Sequence, residues 1–234
     1  MSRDWAFVVV LATASGAFGQ EPVRTAGPAA DRPVSVQLIS AAHEERSEPD
    51  FGPVQPRSVF ENEAAVVNVC ASYVEAQLIY FRSDHRAGGF LEFAQRIRST
   101  PGTHDGLYWA MDADQDESPL GPNFAAAAVT EEQADIESRP YFGYYFKVLL
   151  SQGPEATGGA RDYRVNGHLI AGFALIAWPA EYGVSGVHSF LVNHLGEMYA
   201  RDLGPDTQRA ALGMTAFAPD RSWTKLLVSA SPNK

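Results

Sequence analysis

The sequence predicts an α+β protein in which one long N-terminal helix packs on an antiparallel β-meander. Three observations lead there. Residues 61–83 carry a wide apolar arc at helical spacing, the runs beyond residue 140 are aromatic and β-branched, and two of those runs are separated only by His194-Leu-Gly196. A wide apolar arc suits a helix laid across a sheet, because a lone surface helix carries a narrower stripe.

Residues 1–19 read as a secretory signal. Arg3 gives a weak basic start offset by Asp4, residues 5–12 form a short apolar run, and Ala17-Phe-Gly19 places small residues where a signal peptidase reads. Cleavage after Gly19 is expected, with the mature chain beginning at Gln20 in the periplasm or outside the cell. A membrane span needs about 20 apolar residues, and this run breaks at Thr13 and Ser15. No span is expected in the mature chain.

Residues 20–58 contain Pro22, Pro28, Pro33, Pro49, Pro53 and Pro56. Proline at that density stops helix propagation and sheet pairing, so this stretch reads as a disordered leader. Its one apolar island, residues 34–39, has the composition of an edge strand. Residues 59–234 are then a single α+β domain.

In the helix, Val66, Val69, Cys70, Tyr73, Ala76 and Tyr80 fall on one stripe. Val67, Ala71, Val74, Leu78 and Phe81 fall on the adjoining one. Glu61 and Glu63 sit in the first turn, where carboxylates complement the helix dipole. After Gly88-Gly89, residues 90–97 read as a short second helix. Strands are expected over 141–150, 169–178, 187–193 and 197–202. The last two form a hairpin, with Gly196 available for a positive φ.

Composition bounds the function. The chain has 234 residues, 18 Lys+Arg against 28 Asp+Glu, a net charge of −10 and a sequence pI near 5.0. That excludes a general nucleic-acid binder, which needs a basic face. One cysteine excludes an intrachain disulfide framework and a cysteine-rich zinc site.

Several blocks in order carry a resemblance. They are Asp105-Gly-Leu-Tyr-Trp109, Ser118-Pro-Leu-Gly-Pro122, Gly143-Tyr-Tyr-Phe-Lys-Val-Leu149 and Gln152-Gly-Pro with Gly158-Gly-Ala-Arg-Asp-Tyr163. Gly172-Phe-Ala-Leu-Ile-Ala-Trp-Pro-Ala-Glu-Tyr-Gly183, Val192-Asn-His194 and Arg201-Asp-Leu-Gly-Pro-Asp-Thr207 continue the series. Over roughly residues 61–223 the chain resembles an exported bacterial family known as domain of unknown function number 2950. The resemblance implies no activity and brings no catalytic residues with it. The helix and meander also resemble, in topology alone, the globular part of type II secretion major pseudopilins. Those proteins carry a long apolar helix starting at a prepilin peptidase site, whereas this helix follows a proline-rich leader.

The acidic run Asp112-Ala-Asp114-Gln-Asp116-Glu117 is the sharpest chemical cluster. Alternating carboxylates can converge on Ca²⁺, which takes 6–8 oxygens at flexible geometry. Glu117 stands where an EF-hand loop needs glycine and Asn123 where it needs a bidentate glutamate. Asp112, Asp114 and Asp116 are therefore read either as a calcium site or as a solvated loop. His188 and His194 share a strand face but lie at its opposite ends, and no His-Glu-x-x-His pattern occurs. Gly183-Val-Ser-Gly186 is one residue short of a nucleophile elbow. Gly153 to Gly159 lacks the Lys-Ser/Thr pair of a phosphate loop, and Cys70 belongs to the buried stripe.

Tyr108, Trp109, Tyr141, Tyr144, Tyr145, Trp178 and Tyr182 are expected either to fill the core or to offer a binding face. Two functions follow. One is a non-enzymatic exported module that binds an envelope protein or a glycan. The other is a hydrolase or metal-dependent enzyme with its site in the 105–116 and 181–194 loops.

Overall fold

The structure, a computed structural model, describes residues 57–85, 89–110, 117–129 and 138–228, together with residues 6–7, 34–36 and 230–231. Among the described residues there are three helices: α1 at Val59–Tyr80, α2 at Pro122–Ala126 and α3 at Thr207–Gly213. The main sheet has six strands, β1 at Val34–Val36, β2 at Tyr144–Leu149, β3 at Ala174–Pro179, β4 at His188–Asn193, β5 at Met198–Asp202 and β6 at Thr224–Val228. Their order across the sheet is β1-β6-β5-β4-β3-β2. From β2 to β6 every neighbour is also the next strand of this sheet in sequence and runs antiparallel, which is the expected meander, with two-residue ladders inserted between β2 and β3. At the far edge β1, from the apolar island of the leader, runs parallel to β6. The rest of the leader before residue 57 and most of the signal segment lie outside the described residues.

Helix α1 starts where its cap dictates. Ser58 donates its backbone N–H to Glu61 Oε2 at 2.8 Å, and Glu61 N–H returns a bond to Ser58 Oγ at 3.2 Å. This is a capping box, closing two of the orphan donors at the helix start. Ser58→Ala is expected to lower stability by about 1 kcal/mol, read as a shift in urea midpoint.

The pleat sorts the sheet into two covered faces. Tyr144, Phe146, Leu175, Ala177, Phe190, Val192, Met198 and Leu226 share one face by register and are all buried. Against it lies the first stripe of α1, with Val66, Val69, Cys70, Tyr73, Ala76 and Tyr80 buried as expected. The adjoining stripe is only partly used, since Val67 is buried but Leu78 is 47% exposed. On the opposite face, α3 is tied to the sheet by Lys147, whose buried ammonium donates to Leu212 O at 2.6 Å. A cation on the last turn of a helix also meets the negative end of its dipole.

Residues 90–97 are not a helix. The Gln77 side chain, fully buried, accepts the Ala94 N–H and donates to the Ala94 carbonyl, both at 2.8 Å. Phe93 N–H goes to Leu169 O and Tyr108 N–H comes to Ile97 O. Main-chain groups bonded to other segments are not available for helical bonds. The segment is instead an extended strap fastened to α1 by an amide.

Candidate functional site

The polar groups gather at the two ends of the sheet. At the end where α1 begins, Glu61 stays in solvent in its cap, but Glu63 turns inward and is buried. Its Oε1 accepts the backbone N–H of Val187 at 2.8 Å and of His188 at 2.9 Å, and its Oε2 lies 3.1 Å from His188 Nδ1. Burial pushes the Glu63 carboxyl up, but the His188 ring and these two N–H donors outweigh it and hold the group below its ordinary value. The bond to Glu63 raises His188 against the opposing effect of burial, and the Asp202 carboxylate adds to it.

Around this pair, Tyr144 donates its hydroxyl to His188 O at 2.9 Å, Asn62 Nδ2 donates to Ser185 O and Tyr182 donates to Asp202. A carboxylate fixing Nδ1 of a histidine is the orienting half of an acid–base dyad. Among the described residues no hydroxyl or thiol bonds to the ring. Ser185 Oγ, the serine of the shortened elbow, accepts from Glu181 N–H and donates to Glu181 O, and so closes a turn. Gly186 is required there for packing, because a Cβ at that position would fall on the Tyr144 hydroxyl.

At the other end Gln152 organises the loop that superficially suggests a phosphate cradle. Its Nε2 donates to Thr157 O at 3.0 Å and Gly159 O at 2.6 Å, and its Oε1 accepts from Tyr163 Oη at 3.0 Å. The Gln-Gly-Pro block is thus a loop wound round one buried amide. Asn193 does the same for the hairpin, accepting the N–H groups of Leu195 and Glu197. Burial, and then the Arg161 charge, holds His194 below its ordinary value.

Beyond this end lies an apolar surface. Val165 pairs with His168 across the Arg164–Val165 and His168–Leu169 ladder, and Ile170 follows on the same side by alternation. Phe90 packs on the His168 ring at 4.9 Å between centroids. That ring is anchored below, with Nδ1 3.3 Å from the buried Glu92 carboxylate, close enough for an ion pair though not aligned as a hydrogen bond. Phe90, Leu91, Val165 and Ile170 are all exposed, with Phe90 at 59%, and Leu195 on the β4–β5 hairpin turn is 61% exposed.

The expected chemistry fares unevenly. Asp112, Asp114 and Asp116 lie outside the described residues. Among the described residues no group of three or more His, Cys, Asp or Glu side chains is placed to hold a metal ion. Glu181 follows β3 and His194 follows β4, and the Ala174–Asn193 register puts them at opposite ends of the sheet, roughly 20 Å apart for strands of this length. The 181–194 loops therefore do not form one pocket. Cys70 is fully buried, its thiol pushed up to about 12 by desolvation, which makes it inert.

None of the seven expected aromatics is exposed. Trp109, Tyr144 and Trp178 are core, and Tyr108, Tyr141, Tyr145 and Tyr182 are half-buried. The Glu63–His188 pair was hidden because a first-turn glutamate already has a role at the helix dipole.

The fold is thus an α+β meander with a capped helix on one face, and among the described residues no helix is long and apolar enough to cross a membrane. The profile of the family described as a protein of unknown function (DUF2950) matches residues 50–226, and the chain belongs to that family. Neither the comparison with curated proteins nor that with solved structures gave a match.

Proposed function

We propose that the protein is an exported, non-enzymatic module of the cell envelope that binds a partner protein through its apolar end. The observation that carries this reading is the exposure of Phe90, Val165 and Ile170, which share one side around the His168 ring. Contiguous exposed apolar surface on a folded domain marks an interaction site. This one is held rigidly, by the Glu92–His168 anchor and by Gln95 Nε2 donating to Gly167 O at 2.7 Å. A glycan partner would favour flat exposed tyrosine and tryptophan rings, and here those rings turn inward, so an envelope protein fits better. The capping box at Ser58 also starts α1 afresh after the leader, which disfavours assembly through an N-terminally extended pilin helix. No step of this reading depends on calcium at Asp112, Asp114 and Asp116.

Two measurements test it. N-terminal sequencing of the protein from an envelope fraction is expected to begin at Gln20, and an intact Met1 on the mature protein removes the export half of the proposal. In crosslinking to envelope extract, the pair Phe90→Asp with Ile170→Asp is expected to lose a specific adduct by about tenfold or more, the loss of a central anchor. Val184→Asp, at the other end of the sheet, is expected to keep it. Equal capture by both variants would move the binding face elsewhere.

A further inference from the structure

We propose that the His194 turn between β4 and β5 is an acid-released latch beneath the apolar end, and that it regulates docking there. The regulation rests on the docking role proposed above; the latch does not. His194 is half-buried in a slot of three walls. Its backbone N–H goes to Phe173 O at 2.9 Å, and its ring lies edge-on to Tyr163 at 5.5 Å and to Phe173 at 6.1 Å between centroids. The third wall is Gly172, where a Cβ would fall 2.8 Å from His194 Nδ1 and 2.9 Å from the Tyr163 ring. The imidazole thus takes the place of a side chain at position 172, and the φ of +137° there is a second reason for glycine.

Nδ1 is buried in this slot without a hydrogen-bond partner. A neutral imidazole can leave that nitrogen unprotonated, but in the charged ring both nitrogens are donors. Acid therefore puts an N–H where it has no aligned acceptor, which costs more than turning the ring out to water. The charged groups around the slot act in both directions. Burial first, and then the Arg161 guanidinium, which lies over the Tyr163 ring, oppose the proton. The Phe173 carbonyl and the Glu197 carboxylate favour it and are outweighed. Glu197 is itself engaged by Lys225 at 2.7 Å and Asn193 at 3.0 Å, Asp162 is engaged by Arg164, and the Tyr163 hydroxyl is spent on Gln152. The closed turn thus takes up its proton less readily than the open one. Its contribution is complete above pH 6.5 and is lost as pH falls through the lower folded value. One wall of the slot is also the foot of the apolar ladder. Tyr163 O accepts the N–H groups of Ile170 at 3.2 Å and Ala171 at 3.0 Å, tying together the two arms that display Val165 and Ile170. Expulsion of His194 strips the packing from Tyr163 and so loosens that foot.

Hydrogen exchange on the full mature chain reads the latch between pH 6.5 and 4.5, a window in which Glu63 and His188 both keep their charges. Corrected for the intrinsic effect of pH, protection of the His194 and Ala171 amides is expected to fall about threefold or more on acidification. The Ala94 amide, bonded to Gln77, is expected to hold. His194→Phe fills the slot without titrating and is expected to keep both amides protected throughout. Arg161→Gln, an exposed change that serves if His194→Phe does not fold, is expected to shrink the acid loss. Wild-type protection level across the window, or falling equally in His194→Phe, would overturn the latch. Crosslinking to envelope extract reads the regulation, with the adduct expected to weaken in acid for wild type and to persist for His194→Phe. An adduct equally strong at both ends of the window, or lost equally in His194→Phe, would overturn the regulation. No adduct at either pH would remove the docking role and the regulation with it, and leave the latch to stand or fall on the exchange data.

Discussion

Tyr73→Ala is expected to lower stability by about 3–5 kcal/mol, the cost of a large cavity in a closed core. The ring has no exposed surface and meets Phe173 edge-on at 5.7 Å. Its hydroxyl joins helix to sheet, donating to Ala174 O at 3.4 Å while accepting from Gln77 Nε2 at 3.0 Å. The same amide clamps Ala94, so the truncation loosens the 90–97 strap as well as the helix. Tyr73→Phe separates the two contributions and is expected to cost about 1 kcal/mol, one buried hydrogen bond. Urea unfolding measures both. A loss under about 0.5 kcal/mol for the alanine variant would place the ring outside the core.

For Glu63→Ala the expected loss is about 3 kcal/mol. It arises mainly because the N–H groups of Val187 and His188 lose their acceptor in a partly buried place. The ion pair itself adds less, since the His188 side chain is 41% exposed and solvent screens it. Glu63→Gln keeps an oxygen for the two N–H groups, removes the charge and isolates the pH dependence.

The sign of that dependence follows from the two shifts. Glu63 lies below its ordinary 4.5, so its contribution is present above that pH and is lost as pH falls through the folded value. His188 lies above its ordinary 6.5, so its contribution is complete below 6.5 and is lost as pH rises through the folded value. The pair therefore supports the fold best between pH 4.5 and 6.5. Wild type is expected to lose stability above that window and Glu63→Gln to show a flatter profile, as read from urea midpoints across pH. Parallel profiles would remove the pair from the pH response.

What periodicity can see, it saw. The first stripe of α1 and the first four strands of the meander, β2 to β5, follow from apolar spacing, because burial and pattern coincide there. Three polar residues of α1 defeat the same reasoning. Asn62, Glu63 and Gln77 count as solvent-facing by type, yet each is buried on a partner more than a dozen residues away in sequence. The 90–97 segment carries a helix-like pattern, and the tertiary clamp from Gln77 overrides it. Helix α3 buries only Thr207 and Ala211, too few positions to make a period, and β6 has Leu226 as its buried apolar residue. The apolar end was illegible because Val165 and Ile170 look like ordinary strand residues until the short ladder turns one side outward.

The bond from Tyr73 to Ala174 spans 101 residues. Helix α1 is therefore complete in the growing chain well before the strands it covers exist. At about 5–20 residues per second, a typical synthesis rate, its apolar stripe waits on the order of 5–20 s for a partner. The adjacent hairpins of the meander close locally and quickly, so docking of the early helix is the step with the longest loop to close. During that wait Val66, Val69, Cys70 and Tyr73 form an amphipathic surface with nothing to bury it. Occupation of that surface by a holding factor would keep the newborn chain from aggregating until β3 and β4 arrive to release it.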